Sequence, residues 1–289
     1  MTNLIPNITL NNDVLIPQLG LGVWQAKDGA EVETAVKSAI DAGYRLIDTA
    51  AIYGNEAGVG DGIRASGVSR EDLFITTKVW NADQGYNTTL KAFDHSLQLL
   101  GLDYVDMYLI HWPMPAKNAY KETWRAMEEL YAQGRVKVIG VCNFQISHLQ
   151  DLMSVAKVKP AVNQVELHPY FPQTELRKFC QDNKIAIESW SPIGGSGGAG
   201  SKYATDAPLL DQPVLRSIGD KYGKSPAQVV IRWHIQNGLI VIPKSVHPER
   251  IKENIDVFDF ELSDDDMASI DGLENGKRGG PNPDKNEEV

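Results

Sequence analysis

The chain predicts one closed α/β barrel of the (β/α)8 type, and three features of its sequence lead there. Short apolar runs around Leu19, Leu46, Phe74, Met107, Val136, Val162, Ala186 and Leu239 supply eight candidate strands, each separated from the next by an amphipathic stretch. A repeated punctuation joins them: the amphipathic stretch stops at a glycine, and the apolar run begins within a few residues. No linker or shift in composition interrupts the alternation. Strict alternation implies parallel strands joined by right-handed crossovers. An open doubly wound sheet obeys the same rule, but eight units without a break favour closure into a single TIM barrel.

Taken in order, the segment Leu4 to Leu15, with Asn11 and Asn12 at its middle, predicts a hairpin closing the barrel bottom. Val32, Ala35, Val36, Ala39 and Ile40 share a helix face that stops at Gly43, and Tyr44 to Asp48 follows as a strand. Leu90, Phe93, Leu97 and Leu100 end at Gly101 before the strand Val105 to His111. Trp124, Met127, Leu130 and Tyr131 end at Gly134 before Val136 to Cys142. Ser225 and Pro226 read as an N-cap and first helical residue, and Val229, Val230 and Trp233 form the buried face of a helix closed by Gly238, ahead of the strand Leu239 to Pro243. Gly194 to Gly200 reads as a flexible loop. The barrel domain is expected over residues 1–274, and residues 275–289 form a polar tail, expected to be flexible because it holds too few apolar residues to fold alone.

Composition narrows the partners. A net charge of -10 over 289 residues opposes a broad footprint on nucleic acid or an anionic membrane, although a local basic cluster can still hold a small anion. Met1 to Pro6 lacks the basic and apolar regions of a signal peptide, and no window has the length of a spanning helix, so a cytoplasmic location is expected. The two cysteines, Cys142 and Cys180, sit in apolar stretches, which favours neither a disulfide framework nor a metal site. No long apolar face calls for obligate assembly, and a monomer is the default.

In such barrels the chemistry lies at the C-terminal ends of the strands. The polar residues breaking out there are Asp48, Lys78, His111, Asn143, Gln164, Glu166, Ser191 and Lys244. Each has a plainer reading: Asp48 as a helix cap, Lys78 as a solvated strand end, His111 as a hydrogen-bonded core histidine. Their placement at consecutive strand ends is what makes accident a poor account. A Rossmann fingerprint is missing, since Gly58-Val59-Gly60 is followed by Ile63 where a third glycine belongs. Lys244, Ser245, His247, Pro248 and Arg250 instead bring two cations and a hydroxyl to a helix start suited to a phosphate. The alternative there is a surface helix with scattered charges.

The stretch Gly43–Glu56 (GYRLIDTAAIYGNE), the lysine strand Ile75–Asn81 (ITTKVWN), Asp103–Asp106 leading to His111-Trp112-Pro113, Gly140–Phe144 (GVCNF), Asn163–Glu166 (NQVE) and Ile242–Ser245 (IPKS) with Arg250, Glu253 and Asn254 resemble the aldo-keto reductases, and the likeness runs from Leu10 to about Leu273. The resemblance implies a catalytic tetrad of Asp48, Tyr53, Lys78 and His111, with NADPH or NADP as cofactor. It implies that Lys244, Ser245 and Arg250 hold the 2′-phosphate, that Glu253 and Asn254 meet the adenine, and that Val246 belongs to the cofactor site. Gly22, Val23 and Trp24 would border the nicotinamide ribose, Asn143 and Gln164 the carboxamide, and Ser191 and Pro192 the pyrophosphate. Trp190 offers a face for stacking, or else fills the core. Trp24, Trp80 and Trp112, with Tyr53 and His111, would wall the substrate carbonyl.

Carbonyl reduction needs a proton donor and positive potential beside the oxygen as negative charge develops there. Tyrosine is a poor acid near neutrality, so a lysine that favours the phenolate and a buried carboxylate that keeps the lysine charged make chemical sense of Tyr53, Lys78 and Asp48. His111 would orient the carbonyl. Cys142 replaces a frequent serine and Val23 a frequent threonine of the family, and His247 occupies a variable spot; none touches the tetrad. The short polar tail predicts an open pocket of broad specificity, similar to bacterial members that reduce diketo sugar acids and small dicarbonyls. Two rival readings are an NADPH-binding sensor or structural barrel without turnover, and an aldolase using Lys78 as an imine-forming nucleophile.

Overall fold

Inward and outward side chains alternate strictly around a ring of parallel strands, and that alternation sorts the apolar residues into two layers. In a computed structural model, residues 5–194, 208–286 and 288 of the chain are described. The strands β1 (Asn7–Thr9) and β2 (Leu15–Pro17) form the expected antiparallel hairpin. The barrel follows as β3 (Gly20–Gly22), β4 (Leu46–Asp48), β5 (Phe74–Val79), β6 (Val105–Ile110), β7 (Val136–Cys142), β8 (Val162–Glu166), β9 (Ala186–Trp190) and β10 (Ile240–Val241). Neighbouring strands pair in parallel from β3 through to β10, and the bridges Leu19–Val241 and Gly22–Lys244 close the ring. All strands therefore deliver their C-terminal ends to one face.

The crossovers are α1 (Ala30–Ala42), α2 (Glu56–Ser66), α3 (Tyr86–Leu100), α4 (Tyr120–Ala132), α5 (Ile146–Met153) and α6 (Thr174–Asp182). Between β9 and β10 stand α7 (Pro213–Tyr222) and α8 (Pro226–Gln236), and α9 (Pro248–Ile255) and α10 (Asp264–Asp271) follow β10. The predicted stops act physically: Gly43 and Gly101 end α1 and α3 in left-handed conformations, at φ 109° and 65°, that a side chain would resist. Ser225 and Gln228 form a reciprocal capping box ahead of Pro226. Of the flexible loop expected over 194–200, only Gly194 belongs to the described residues.

Leu46, Met107, Leu109, Val138, Val162, Ile240 and Ile242 fill the barrel interior, and Leu10 and Ile16 of the hairpin segment plug it from below. The outward residues of the same strands, among them Ile47, Ile75, Tyr108, Ile139, Val165 and Ile187, pack against the helices. Below the polar face the barrel is thus dry. The glycines of α2, two of which fail as a dinucleotide fingerprint, have a packing role. A Cβ on Gly58 would lie 2.4 Å from Val32 Cγ1, and one on Gly62 would lie 2.8 Å from the Glu33 carbonyl, both in α1. On Gly60 it would lie 2.1 Å from the carbonyl oxygen of Leu100 in α3. Because that obstacle is backbone, Gly60→Ala should lower the unfolding free energy by about 1–3 kcal/mol, read from the midpoint of urea denaturation, with an unchanged midpoint as the contrary result.

Candidate active site

The last inward positions of the strands carry polar groups, and burial forces them onto one another. Lys78 and Asp48 are 0% and 2% exposed, with Nζ 2.5 Å from Asp48 Oδ1. Lys78 also donates to the Thr49 carbonyl at 2.9 Å and to the Tyr53 hydroxyl at 3.5 Å. Those contacts use its three N–H donors. Burial works against the ammonium charge, but Asp48 and then Tyr53 more than offset it, and the lysine is held above its usual range. Tyr53 sits on a short turn, Ala51–Tyr53, between β4 and α2. That turn is braced by Asn55, whose amide donates to the carbonyls of Val23 and Ala26 at 3.0 Å and accepts from Thr49 Oγ1.

Burial raises the Tyr53 hydroxyl to about 12 against the opposing pull of Lys78, so it stays protonated at neutral pH. His111, at the end of β6, is pushed the other way: burial first, and the Lys78 charge second, hold its imidazole well below the usual range and therefore neutral. Its ring meets Tyr53 edge-on at 5.8 Å and Trp80 at 5.2 Å. Asn143 donates to the His111 carbonyl at 3.0 Å and accepts from Trp190 Nε1 at 2.9 Å. Asn143 adopts a left-handed backbone, φ 63°, which asparagine tolerates better than most residues.

A cleft of about 430 Å³ opens over these groups. Of the residues expected from sequence, Gly22, Trp24, Asp48, Tyr53, Trp80, His111, Trp112, Asn143, Gln164, Trp190, Ser191, Pro192 and Lys244 line it, while Lys78 lies beneath its floor. Val23, Ser245, Val246, Arg250, Glu253 and Asn254 do not line it. Val23, Ser245 and Asn254 are buried, and Ser245 Oγ accepts from His247 N at 3.1 Å at the start of α9. Arg250 and Glu253 are exposed on α9. The amide of Gln164 is engaged inside the barrel, donating to Asp48 Oδ2 at 2.8 Å and Glu188 Oε2 at 2.9 Å. Glu188 is a member of this cluster that the strand-end survey omits. It lies two residues before Trp190, on the inward side, and strand alternation alone would have placed it there.

The sequence model of the Aldo/keto reductase family matches residues 18–275. The chain belongs to the aldo/keto reductase family. Glyoxal reductase of Bacillus subtilis is 53% identical, covering 98% of each chain. Methylglyoxal reductase DkgA of Escherichia coli K12 is 51% identical, over 96% of this chain and 97% of its own. The solved aldo-keto reductase of Bombyx mori in complex with NADP superposes with a TM-score of 0.89 at 38% identity, covering 97% of this chain and 96% of its own. Among the described residues no helix is long and apolar enough to cross a membrane.

The described tail residues of this aldo/keto reductase, 275–286 and 288, make specific contacts with the barrel. The backbone N–H groups of Gly279 and Gly280 donate to the two oxygens of Glu166 at 2.5 and 3.0 Å, and His168 Nε2 lies 3.0 Å from Oε1. Arg278 stacks 4.6 Å over Phe171, His148 lies 3.3 Å from Asp284, and Asn81 donates to the Glu288 carbonyl at 2.7 Å. Gly279, Gly280 and Pro281 thereby form part of the cleft wall. A Cβ on Gly280 would be 2.4 Å from Trp190 Cη2, so only glycine lets the tail lie against that ring. The contacts are polar or backbone, which a count of apolar residues does not register. Burial pushes the Glu166 carboxyl up, but His168 and the two tail amides outweigh it and hold it below its usual range. Glu166→Gln replaces one of those acceptors with a donor, at a loss of about 1.5–3 kcal/mol for a charged acceptor. Trypsin should then cut after Lys277 or Arg278 at least about tenfold faster than in wild type; equal cleavage rates would remove Glu166 as the anchor.

Proposed function

We propose that this aldo/keto reductase reduces aldehydes, ketones and small dicarbonyls, including sugar-derived ones, with NADPH, and that residues 1–274 form a single oxidoreductase domain. The observation that carries the proposal is Lys78 Nζ held between the Asp48 carboxylate at 2.5 Å and the Tyr53 hydroxyl at 3.5 Å, under a cleft bordered by a neutral His111. The names of the glyoxal and methylglyoxal reductases among its relatives support the substrate class, and the NADP complex of the Bombyx mori relative supports the cofactor.

The cleft fits such a cofactor. It runs from Tyr53 and His111 past the Trp190 ring to Lys244, beyond which the N-terminus of α9 presents free N–H groups near Arg250. Trp190 would stack on the nicotinamide and Asn143 and Gln164 would meet its carboxamide. Gly22, Val23 and Trp24 would border the ribose, and Ser191 and Pro192 the pyrophosphate. Lys244, Ser245 and Arg250 would hold the 2′-phosphate, with Glu253 and Asn254 toward the adenine and Val246 part of the cofactor site. NADPH supplies the hydride, which no side chain can.

The protein's own part is the proton and the field. With His111 neutral at physiological pH, its ring donates a hydrogen bond that orients the carbonyl oxygen but is a poor proton source. Tyr53 is protonated and keeps an ammonium beside its oxygen, so the phenolate left after proton transfer is stabilised where it forms. Asp48 keeps Lys78 charged throughout. Trp24, Trp80 and Trp112 give the carbonyl carbon an apolar wall that keeps water from competing for it. The aldolase alternative needs a neutral amine free to attack, and Lys78 is charged, saturated with acceptors and unexposed, which argues against it.

Tyr53→Phe should reduce kcat/KM for a small dicarbonyl by about 10²–10⁴, followed by NADPH oxidation, while NADPH affinity by fluorescence titration stays unchanged. Full activity in that variant would remove Tyr53 as the acid. Wild type that binds NADPH yet turns over no carbonyl across a broad panel would favour the sensor reading. For the phosphate segment, Lys244→Met and Arg250→Ala should each raise KM for NADPH by about 10-fold or more, the loss of a charged hydrogen bond, and leave KM for NADH unchanged. An equal rise for both cofactors would place the phosphate elsewhere.

A further inference from the structure

Glu188 stands in β9 with no solvent-exposed surface and is used by none of the steps above; the following inference rests on the reductase reading and adds a residue to it. The groups facing it come from the strands around the ring. Asp48 approaches from β4, Lys78 from β5, Cys142 from β7 and Gln164 from β8. The inward residues of β6 are Met107 and Leu109, and β10 sets Ile240 level with it, so no further charge among the described residues balances it. A single amide nitrogen, Gln164 Nε2, serves both carboxyl groups, at 2.9 Å from Glu188 Oε2 and 2.8 Å from Asp48 Oδ2. Lys78 bonds to Asp48 and not to Glu188. Glu188 Oε1 has no hydrogen-bond partner among the described residues.

An ionised Glu188 would leave one oxygen bare in a dry layer and set a second negative charge across Gln164 from Asp48. Both terms favour the neutral acid. Burial first, and the Asp48 charge second, push its carboxyl up to about 8, against the weaker pulls of Gln164 and Lys78. The group therefore changes charge just above neutrality, within reach of the reaction's own field.

We infer that Glu188 is a positioning residue for the proton donor. As the neutral acid it shares the Gln164 amide and leaves the Lys78 field directed at Tyr53, and as the anion it opposes phenolate formation and slows carbonyl reduction. The charge that Glu188 gains on ionising lies on the same low-dielectric layer as Lys78, where water does not screen it. Glu188 touches neither carbonyl nor nicotinamide and acts through Gln164 and Lys78, so its signature is a pH dependence rather than a simple loss of rate.

The test is kcat/KM for carbonyl reduction at saturating NADPH, from about pH 6 to about pH 10, in wild type and Glu188→Gln. Wild type should lose about tenfold between about pH 7 and about pH 9, as a group titrating near 8 requires. The variant, whose amide cannot ionise, should keep its rate at about pH 7 within about threefold and lose that alkaline limb. The same limb in both proteins overturns the inference. Infrared difference spectra of the wild type without cofactor read the group independently of turnover. The C=O stretch of a protonated carboxylic acid should be present at neutral pH, disappear as pH rises through about 8, and be missing from Glu188→Gln. Absence of the band at neutral pH also overturns the inference, and Glu188→Met, which likewise cannot ionise, takes the place of the glutamine variant if that one does not fold. Wild type that reduces no carbonyl at any pH brings down the reductase reading itself, which is a different result from a limb that persists with turnover intact.

Discussion

One ammonium group without water organises the mouth of this barrel. Taking Lys78 and Asp48 out of solvent costs several kcal/mol per ion, and mutual attraction repays that only when every donor finds an acceptor. The barrel meets the condition by register. Asp48 of β4 is level with Thr76 of β5, so Lys78 lies one inward position further along the neighbouring strand and its stem stays in the wall. Its head meets Asp48, Thr49 and Tyr53 together. An open sheet would let water reach the same residues. Closure through Leu19–Val241 and Gly22–Lys244, with the hairpin below, is what keeps the pair dry.

That single charge sets the state of its neighbours. It lowers Tyr53 and His111 alike, but the two begin on opposite sides of neutrality and burial moves them in opposite directions. The phenol keeps its proton and the imidazole loses one. Two groups side by side are thus separated into a protonated phenol and a neutral imidazole by their chemistry in a shared environment. Cys142, in the same layer, is pushed well above the usual thiol range by burial in spite of Lys78, so it sits there as a neutral, weakly polar filler. Orientation then passes outward by hydrogen bonds: Asn143 holds the His111 backbone, and the Trp190 indole is tied to Asn143. The Trp190 ring is thereby linked to the backbone of His111.

What the sequence made legible was whatever has a short-range cause. Helix stops at Gly43 and Gly101, the capping box at Ser225, and apolar runs of alternating burial each depend on a few consecutive residues, and the barrel's order follows from them. Asp48, Lys78 and His111 were legible because strand ends converge in any closed parallel barrel, whereas Tyr53, on the turn after β4, came only from the resemblance to the aldo-keto reductases. Contacts between distant segments were not. The Glu166 clasp joins residues more than 110 positions apart, and nothing in a polar tail announces that two of its amides will meet a buried carboxylate. Gly58 and Gly60 read as a failed fingerprint because their reason, the close approach of α1 and α3, lies in other helices. Glu188 was overlooked for a different cause: an inward charge in mid-strand looks like an error until its amide partner on the next strand is known.

Charge on the molecule as a whole runs against its proposed cofactor, since a chain of net -10 repels a multiply charged anion. At physiological salt that repulsion fades within about 8 Å, so what an arriving phosphate meets is decided by the few groups nearest its path. Lys244 lines the cleft beside Gly22, and Arg250 stands in the first turn of α9, where the helix N-terminus adds its own positive potential. Arg278, on the docked tail, contributes less, because Glu166 lies 4.0 Å from it and Phe171 covers its face. The acidic residues responsible for the net charge include Asp41, Glu71, Asp72 and Asp256, which line the opposite, hairpin end of the barrel. Recognition of an anion at the cleft is therefore a local property. The surface can stay acidic elsewhere without weakening the site that needs positive charge.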